Sequence, residues 1–155
     1  MTSTTSSDWL QDVLDRSAES AGPAIAATFG RDDRRLTAAE TRAFWRGTRM
    51  FAVSTVSPEG HPHIAPVHIL FTEDDHLDMS IFEDSLRLKD LRENPRIAIT
   101  AWGDDRTAVI AYGRTTEVPD TSREVNPGAD PAMRRRVLTM RIALDRIYAM
   151  RPRPR

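Results

Sequence analysis

Apolar and polar residues alternate with two different periods along this chain, and the change of period marks out its architecture. Near the start, Trp9, Leu10, Val13, Leu14 and Ala18 recur at helical spacing. This predicts an amphipathic helix behind a Ser7 or Asp8 cap, stopped by Gly22-Pro23. Ala24–Phe29 is apolar without a decisive period, and Arg31–Arg35 reads as a charged loop. Thr37-Ala-Ala-Glu40 is a capping box, in which the Thr37 hydroxyl takes an orphan N–H of the first turn while Glu40 reaches back to the cap. It predicts a helix that carries Phe44 and Trp45 and ends near Gly47.

From Arg49 the period is two. Alternation predicts strands at about 49–56, 62–72, 76–82, 96–102, 106–118 and 136–150, the last broken at Asp145. Pro58-Glu-Gly60 and Glu73-Asp-Asp75 are hairpin connections. One helix interrupts the strands, over about 85–93, between Asp84-Ser85 and Asn94-Pro95, where proline bars continuation. Short strands joined mostly by short turns point to a mainly β, α+β chain: a small antiparallel barrel or sandwich with peripheral helices.

Strand 62–72 departs from the usual alternation. Ala65, Val67, Ile69 and Phe71 fall on one face, and Ile64, Pro66, His68 and Leu70 on the other. Both faces are largely apolar, whereas a half-solvated antiparallel strand should be polar on one side. One face can be the core. The other needs a cover: a second subunit, a flat ligand, or the N-terminal helix. Pro66 has no N–H to give to a ladder, so it belongs at an edge or bulge, where a ligand can approach.

Composition narrows the possibilities. The chain has 155 residues, with 22 Lys+Arg against 23 Asp+Glu and a net charge of −1. That length suits one ordinary domain, and the balance argues against a general nucleic-acid binder. There is no cysteine, so disulfides, thiolate metal sites and cysteine nucleophiles are excluded. No apolar run approaches the ~20 residues of a membrane helix. Met1–Ser7 lacks the charged and apolar regions of a secretory signal, so the expectation is a cytoplasmic protein without membrane or nucleic-acid partners.

Two constellations could carry chemistry. In Asp84-Ser85-Leu86-Arg87-Leu88-Lys89, Ser85 can cap a helix whose first turn offers free N–H groups and a positive dipole end. Arg87 sits in that turn and can make a bidentate phosphate contact, while Lys89 adds a point charge. Leu88 and Leu91 would face the core. Glu83 and Asp84 put negative charge beside such an anion site, so a clamp works only if they point away; the alternative is an ordinary capped surface helix. The second constellation is Gly60-His61-Pro62-His63-Ile64-Ala65-Pro66-Val67-His68. His61 and His63 share a strand face, a possible metal pair, but no third ligand stands at a recognised spacing. His68 reads as a satisfied histidine or as a ring packed against something flat. No nucleophile elbow, Walker loop or dinucleotide fingerprint is present. Arg134-Arg135-Arg136 and Arg151–Arg155 read as a solvated strand entry and an extended tail, or as a basic patch for an acidic partner.

The order of motifs is familiar. Leu36-Thr37-Ala38-Ala39-Glu40, Phe44, Phe51–Val56, Pro58-Glu-Gly60-His-Pro-His63-Ile-Ala-Pro66-Val, and Ser85-x-Arg87-x-x-Asp90-Leu91-Arg-x-Asn94-Pro95-Arg96 follow one another. Together they resemble the pyridoxamine 5'-phosphate oxidase-like family of flavin and deazaflavin oxidoreductases, the FMN-binding split barrel. The match runs from about Leu36 to Val118, and Arg141-Ile142-Ala143 with Tyr148 is similar to the family's last strands.

The resemblance implies a six-stranded antiparallel Greek-key split barrel over 36–150, with 1–35 a helical extension and 151–155 a flexible tail. It also implies a homodimer with cofactor sites at the subunit interface and a small-molecule substrate. Carried over by position, His63 to His68 would run past the flavin ring, with Pro66, Val67 and His68 nearest. Ser80 and Ile81 would follow on the neighbouring strand. Ser85 and Arg87 would hold the phosphate, and Lys89 would assist. Trp102 could flank the site from the other subunit. The chain departs from the family at Arg87, where lysine is usual, at Asp90, where asparagine is common, and in a short Pro119–Pro131 connection.

The expected function is therefore an oxidoreductase that binds FMN, or the deazaflavin coenzyme F-420, and transfers hydride to or from a small organic substrate. The rivals are a haem protein using His61, His63 or His68 as axial ligand, and a non-catalytic flavin-binding module.

Overall fold

The computed structural model describes residues 8–126, 128 and 130–152. Three helices come first: α1 (Trp9–Glu19), α2 (Pro23–Phe29) and α3 (Ala38–Gly47). Strands β1 (Phe51–Val56), β2 (Pro62–Val67), β3 (Ile69–Phe71) and β4 (Leu77–Phe82) precede helix α4 (Leu86–Glu93). Strands β5 (Arg96–Trp102), β6 (Ala108–Glu117), β7 (Arg123–Val125) and β8 (Arg135–Met150) complete the order. The apolar segment 24–29, ambiguous by period, is helical, with Pro23 opening its first turn.

All strand pairings are antiparallel, in the order β2-β1-β5-β6-β8-β4-β3, with β7 added on β8. The sheet has eight strands where the alternation predicts six. The extra count has two sources. Strand 62–72 changes partner at His68, pairing with β1 before it and with β4 after it. The connection after β6 contributes β7. Because β2 and β3 stand at opposite ends of the sheet yet are joined by one residue, the sheet must curl back on itself. The result is a curled, barrel-like sheet around one core.

That core is built from the inward positions: Phe51, Val53, Val67, Ile69, Leu77, Met79, Ile81, Ile97, Ile99, Val109 and Met140 are all buried. Each such side chain contributes about 1.5–3 kcal/mol on burial. Trp45 of α3 closes one side, stacking on Phe51 at 4.5 Å between ring centroids and donating its indole N–H to the Ile69 carbonyl. The capping box that opens α3 is present in both directions between Thr37 and Glu40.

The break foreseen at Asp145 is a bulge. Opposite Tyr112 stands Arg146, but opposite Gly113 stands Leu144, so Asp145 is the unpaired extra residue. Gly113 permits the close approach, since a Cβ there would lie 2.3 Å from the Ala143 carbonyl oxygen. Beyond the bulge, β8 is flanked by β6 on one side only, and its free edge is covered by the N-terminal segment. Ile147 N–H donates to the buried Ser17 hydroxyl, and Leu36 N–H donates to the Ala149 carbonyl. Covering an open edge in this way blocks pairing with another chain there.

Helix α1 is capped by Asp8, which accepts from the N–H groups of Leu10 and Gln11. Leu10, Val13 and Leu14 pack into the core. A polar latch adds to this: Arg42 of α3 bridges Asp8 and Asp75, and Trp9 donates its indole N–H to Asp75. Asp75 holds a left-handed turn conformation, φ 62°. The N-terminal helix thus lies against β8 and leaves the outer face of β2 and β3 bare, which removes it as the cover for that face.

Candidate functional site

The outer face of strand 62–71 is open, as its double apolar pattern demands. Ile64 is 74% exposed, and Pro66, His68 and Leu70 are exposed with it. The apolar surface continues across the sheet through the register Pro66–Ala52–Thr100–Ile110. It ends near Trp102, which is 70% exposed, and Met50. Contiguous exposed apolar surface of this kind marks a binding or association face.

Helix α4 begins beside this face. Ser85 is its N-cap, and its hydroxyl accepts from Leu88 N–H. Leu88 and Leu91 are buried as their spacing requires, which turns the start of the helix toward β2 and β4. The two carboxylates that threaten an anion site point away. Asp84 pairs with Arg135 at 2.6 Å. Glu83 accepts from the Ser122 hydroxyl and lies 3.7 Å from Arg136. Each of these arginines has an acidic neighbour within the chain, so the basic run is a set of local counter-charges.

Arg87 is different. It makes no hydrogen bond or ion pair among the described residues, yet it is only partly exposed. Burial pulls its guanidinium below the ordinary arginine value, opposed by the charge of Asp90. Its side chain borders two cavities. The larger, about 450 Å³, is lined by Pro66, Val67, His68, Leu70, Ser80, Phe82 and Arg123 as well. The smaller, about 280 Å³, is lined by His63, Ile64, Ala65, Ser85 and Leu86. A partly buried cation with no partner, at the mouth of both, is an arrangement that accepts an anion.

The other residues singled out by sequence fall into two groups. Pro66, Val67, His68 and Ser80 share the larger cavity with Arg87, and His63 and Ser85 share the smaller. Ile81 points into the core, 1% exposed. Lys89 stands on the exposed side of α4. Neither of these two lines either cavity.

Three contacts escaped sequence reasoning. Asp90, 2% exposed, accepts from the Thr55 hydroxyl at 2.8 Å and meets His63 Nδ1 at 2.6 Å. Burial raises its carboxyl, but the hydrogen bonds from His63 and Thr55 outweigh this and hold it below the ordinary range. Arg123 of β7 enters the larger cavity and donates to the Ser80 hydroxyl. It lies in a stretch that carries no periodic signal. Among the described residues no group of three or more His, Asp and Glu side chains is placed to hold a metal ion. No helix there is long and apolar enough to cross a membrane.

Comparison with known proteins places this architecture. Many solved structures share the fold, and three of them illustrate it. A conserved hypothetical protein from Mycobacterium tuberculosis aligns with a TM-score of 0.64 at 20% identity, over 81% of this chain and 94% of its own. A FAD-binding protein from Mesorhizobium loti aligns with a TM-score of 0.56 at 19% identity, over 76% of this chain and 96% of its own. The haem storage protein HutZ from Vibrio cholerae aligns with a TM-score of 0.55 at 11% identity, over 73% of this chain and 94% of its own. No curated protein matches. The sequence model described as pyridoxamine 5'-phosphate oxidase matches residues 37–150, most of the chain and all of the curled sheet, so this protein belongs to the pyridoxamine 5'-phosphate oxidase family.

Proposed function

We propose that this protein binds a phosphorylated flavin-type cofactor, FMN or the deazaflavin F-420, and works as an oxidoreductase on a small organic substrate. The observation that carries the reading is Arg87: a partly buried guanidinium, unpartnered among the described residues, beside the capped start of α4 and next to an exposed apolar strand face. The chain's residues fit such a group. Arg87 can take a phosphate oxygen pair bidentately, and the N–H groups of the first turn of α4 add donors of the same sign. Glu83 and Asp84 are occupied elsewhere. Pro66 and His68 offer a surface against which a flat ring can lie, and Ser80 and Arg123 supply polar contacts across the cavity.

When bound, the cofactor would supply hydride transfer. The protein's part is to bind, orient and exclude water, which is why no side-chain acid or base is required for the reading. A second copy of the chain is the proposed cover for Ile64, Trp102 and the rest of the apolar face, giving a homodimer that encloses the site.

A haem-binding reading has one observation in its favour. His63 is engaged by Asp90, but His68 is exposed on the open face and could serve as an axial ligand. Absorption and fluorescence spectra of the purified protein, before and after addition of FMN, F-420 or haemin, separate these outcomes. A flavin or deazaflavin spectrum that changes on binding supports the proposal. A haem band lost in His68→Ala supports the rival. Failure of FMN and F-420 to bind at micromolar concentration overturns the reading, and binding without turnover by any reductant leaves only a flavin-holding module.

A further inference from the structure

The buried Asp90 and the half-exposed His63 form a pair that the phosphate-clamp reading does not use. Asp90 is carried inward on α4 beside Leu88 and Leu91. Its two hydrogen-bond donors come from different strands, Thr55 on β1 and His63 on β2. An ionised carboxylate only accepts, so Nδ1 of His63 must carry a proton. The opposite ring nitrogen, Nε2, is then free for another partner. His63 lines the same small cavity as Ser85 and Arg87.

We propose that His63, held by Asp90, is a third member of the anion site and grips the ligand's phosphoryl group as an imidazolium. This rests on the reading of that site as a phosphate clamp and extends it. Asp90 acts as a positioning residue. It fixes the ring's orientation, and the protonated ring donates to a phosphate oxygen through Nε2. In the neutral ring Nε2 presents a lone pair, which repels phosphate oxygen.

The other charges around the pair are few. From α4, Arg87 and Lys89 act on Asp90. From the β1–β2 turn, Glu59 feels Lys89 and Asp90. Thr55, the remaining contact, is uncharged. Two further imidazoles stand nearby: His61, two residues before His63, and His68, which lines the larger cavity with Arg87.

The test compares FMN with riboflavin, which lacks the phosphate, by flavin fluorescence. His63→Gln should weaken FMN binding roughly tenfold to a hundredfold, the range for a hydrogen bond to a charged group. It should leave riboflavin binding unchanged. Asp90→Asn, which releases the ring, should weaken FMN with the same selectivity.

A second arm needs neither flavin nor a folded variant of Asp90. Inorganic phosphate is titrated into the full chain while the imidazole carbon-bound proton signals are followed by NMR, His63 being assigned from His63→Gln. A saturable shift of the His63 signal supports the proposal, and does so even where no flavin binds, a result that would sink the flavin reading alone. A His63 signal unmoved by phosphate overturns the assignment. So does wild-type FMN affinity in His63→Gln, which would leave the flavin reading standing.

Discussion

Arg87→Met should separate stability from binding, because a partly buried charge without a partner serves one at the expense of the other. In the ligand-free protein the guanidinium is partly withdrawn from water and donates no hydrogen bond to any of the described residues; only the field of Asp90 opposes that cost. Methionine keeps an unbranched stem of similar reach and removes the charge. Relief of an unfavourable charge of this kind falls within roughly 0.5–2 kcal/mol, and the Asp90 attraction places it in the lower half. For a chain of this size about 1 kcal/mol corresponds to ~2–4 °C in Tm. Binding should move the other way. A hydrogen bond to a charged group contributes about 1.5–3 kcal/mol, so FMN affinity should fall roughly tenfold to a hundredfold. Thermal unfolding of the ligand-free protein reads the first quantity, and a flavin fluorescence titration reads the second. A Tm lowered by several degrees with FMN affinity intact would show that Arg87 holds the fold together, and the reasoning would fail.

Other perturbations test the frame around the site. Ser17→Ala strands the buried N–H of Ile147 at the free edge of β8 and should destabilise by about 1–3 kcal/mol, read as a shift in urea midpoint. Gly113→Ala places a methyl 2.3 Å from the Ala143 carbonyl oxygen and should cost about 1–3 kcal/mol or more, with loss of the bulge register in amide NMR. Arg42→Met removes the cation that holds the carboxyls of Asp8 and Asp75 below their ordinary values. Those depressed groups stabilise the fold above the unfolded carboxylate range and lose that contribution as pH falls through their folded values. The variant should therefore be about 1 kcal/mol less stable near neutrality, and converge with wild type below about pH 4 in acid titrations followed by circular dichroism. The pair Ile64→Lys and Trp102→Lys should lower the self-association seen by analytical ultracentrifugation and leave Tm at high dilution unchanged, since both side chains are exposed on one chain.

Much of the fold is legible in the chain because its signals are local. The Thr37–Glu40 box, the Ser85 cap, the Asn94-Pro95 stop and the period of two from Arg49 each operate within a few residues, and α3, α4, β1 and β5 stand where those signals put them. The Asp145 break belongs with them, since a polar residue interrupting an alternating run is visible in sequence. The double apolar pattern of strand 62–72 already required an outside cover, and the exposed Ile64, Pro66, His68 and Leu70 follow from it.

Tertiary closure decided the rest. Whether Glu83 and Asp84 face an anion or turn away depends on Arg135 and Arg136, about fifty residues later, and on Ser122. The change of partner at His68, the His63–Asp90–Thr55 contact and the entry of Arg123 into the cavity exist only because strands distant in sequence meet one another and α4. Capping and periodicity act through neighbours along the chain, where the sequence itself specifies geometry. Ion pairs and buried hydrogen bonds act across space, and which groups meet is set by the register of a closed sheet.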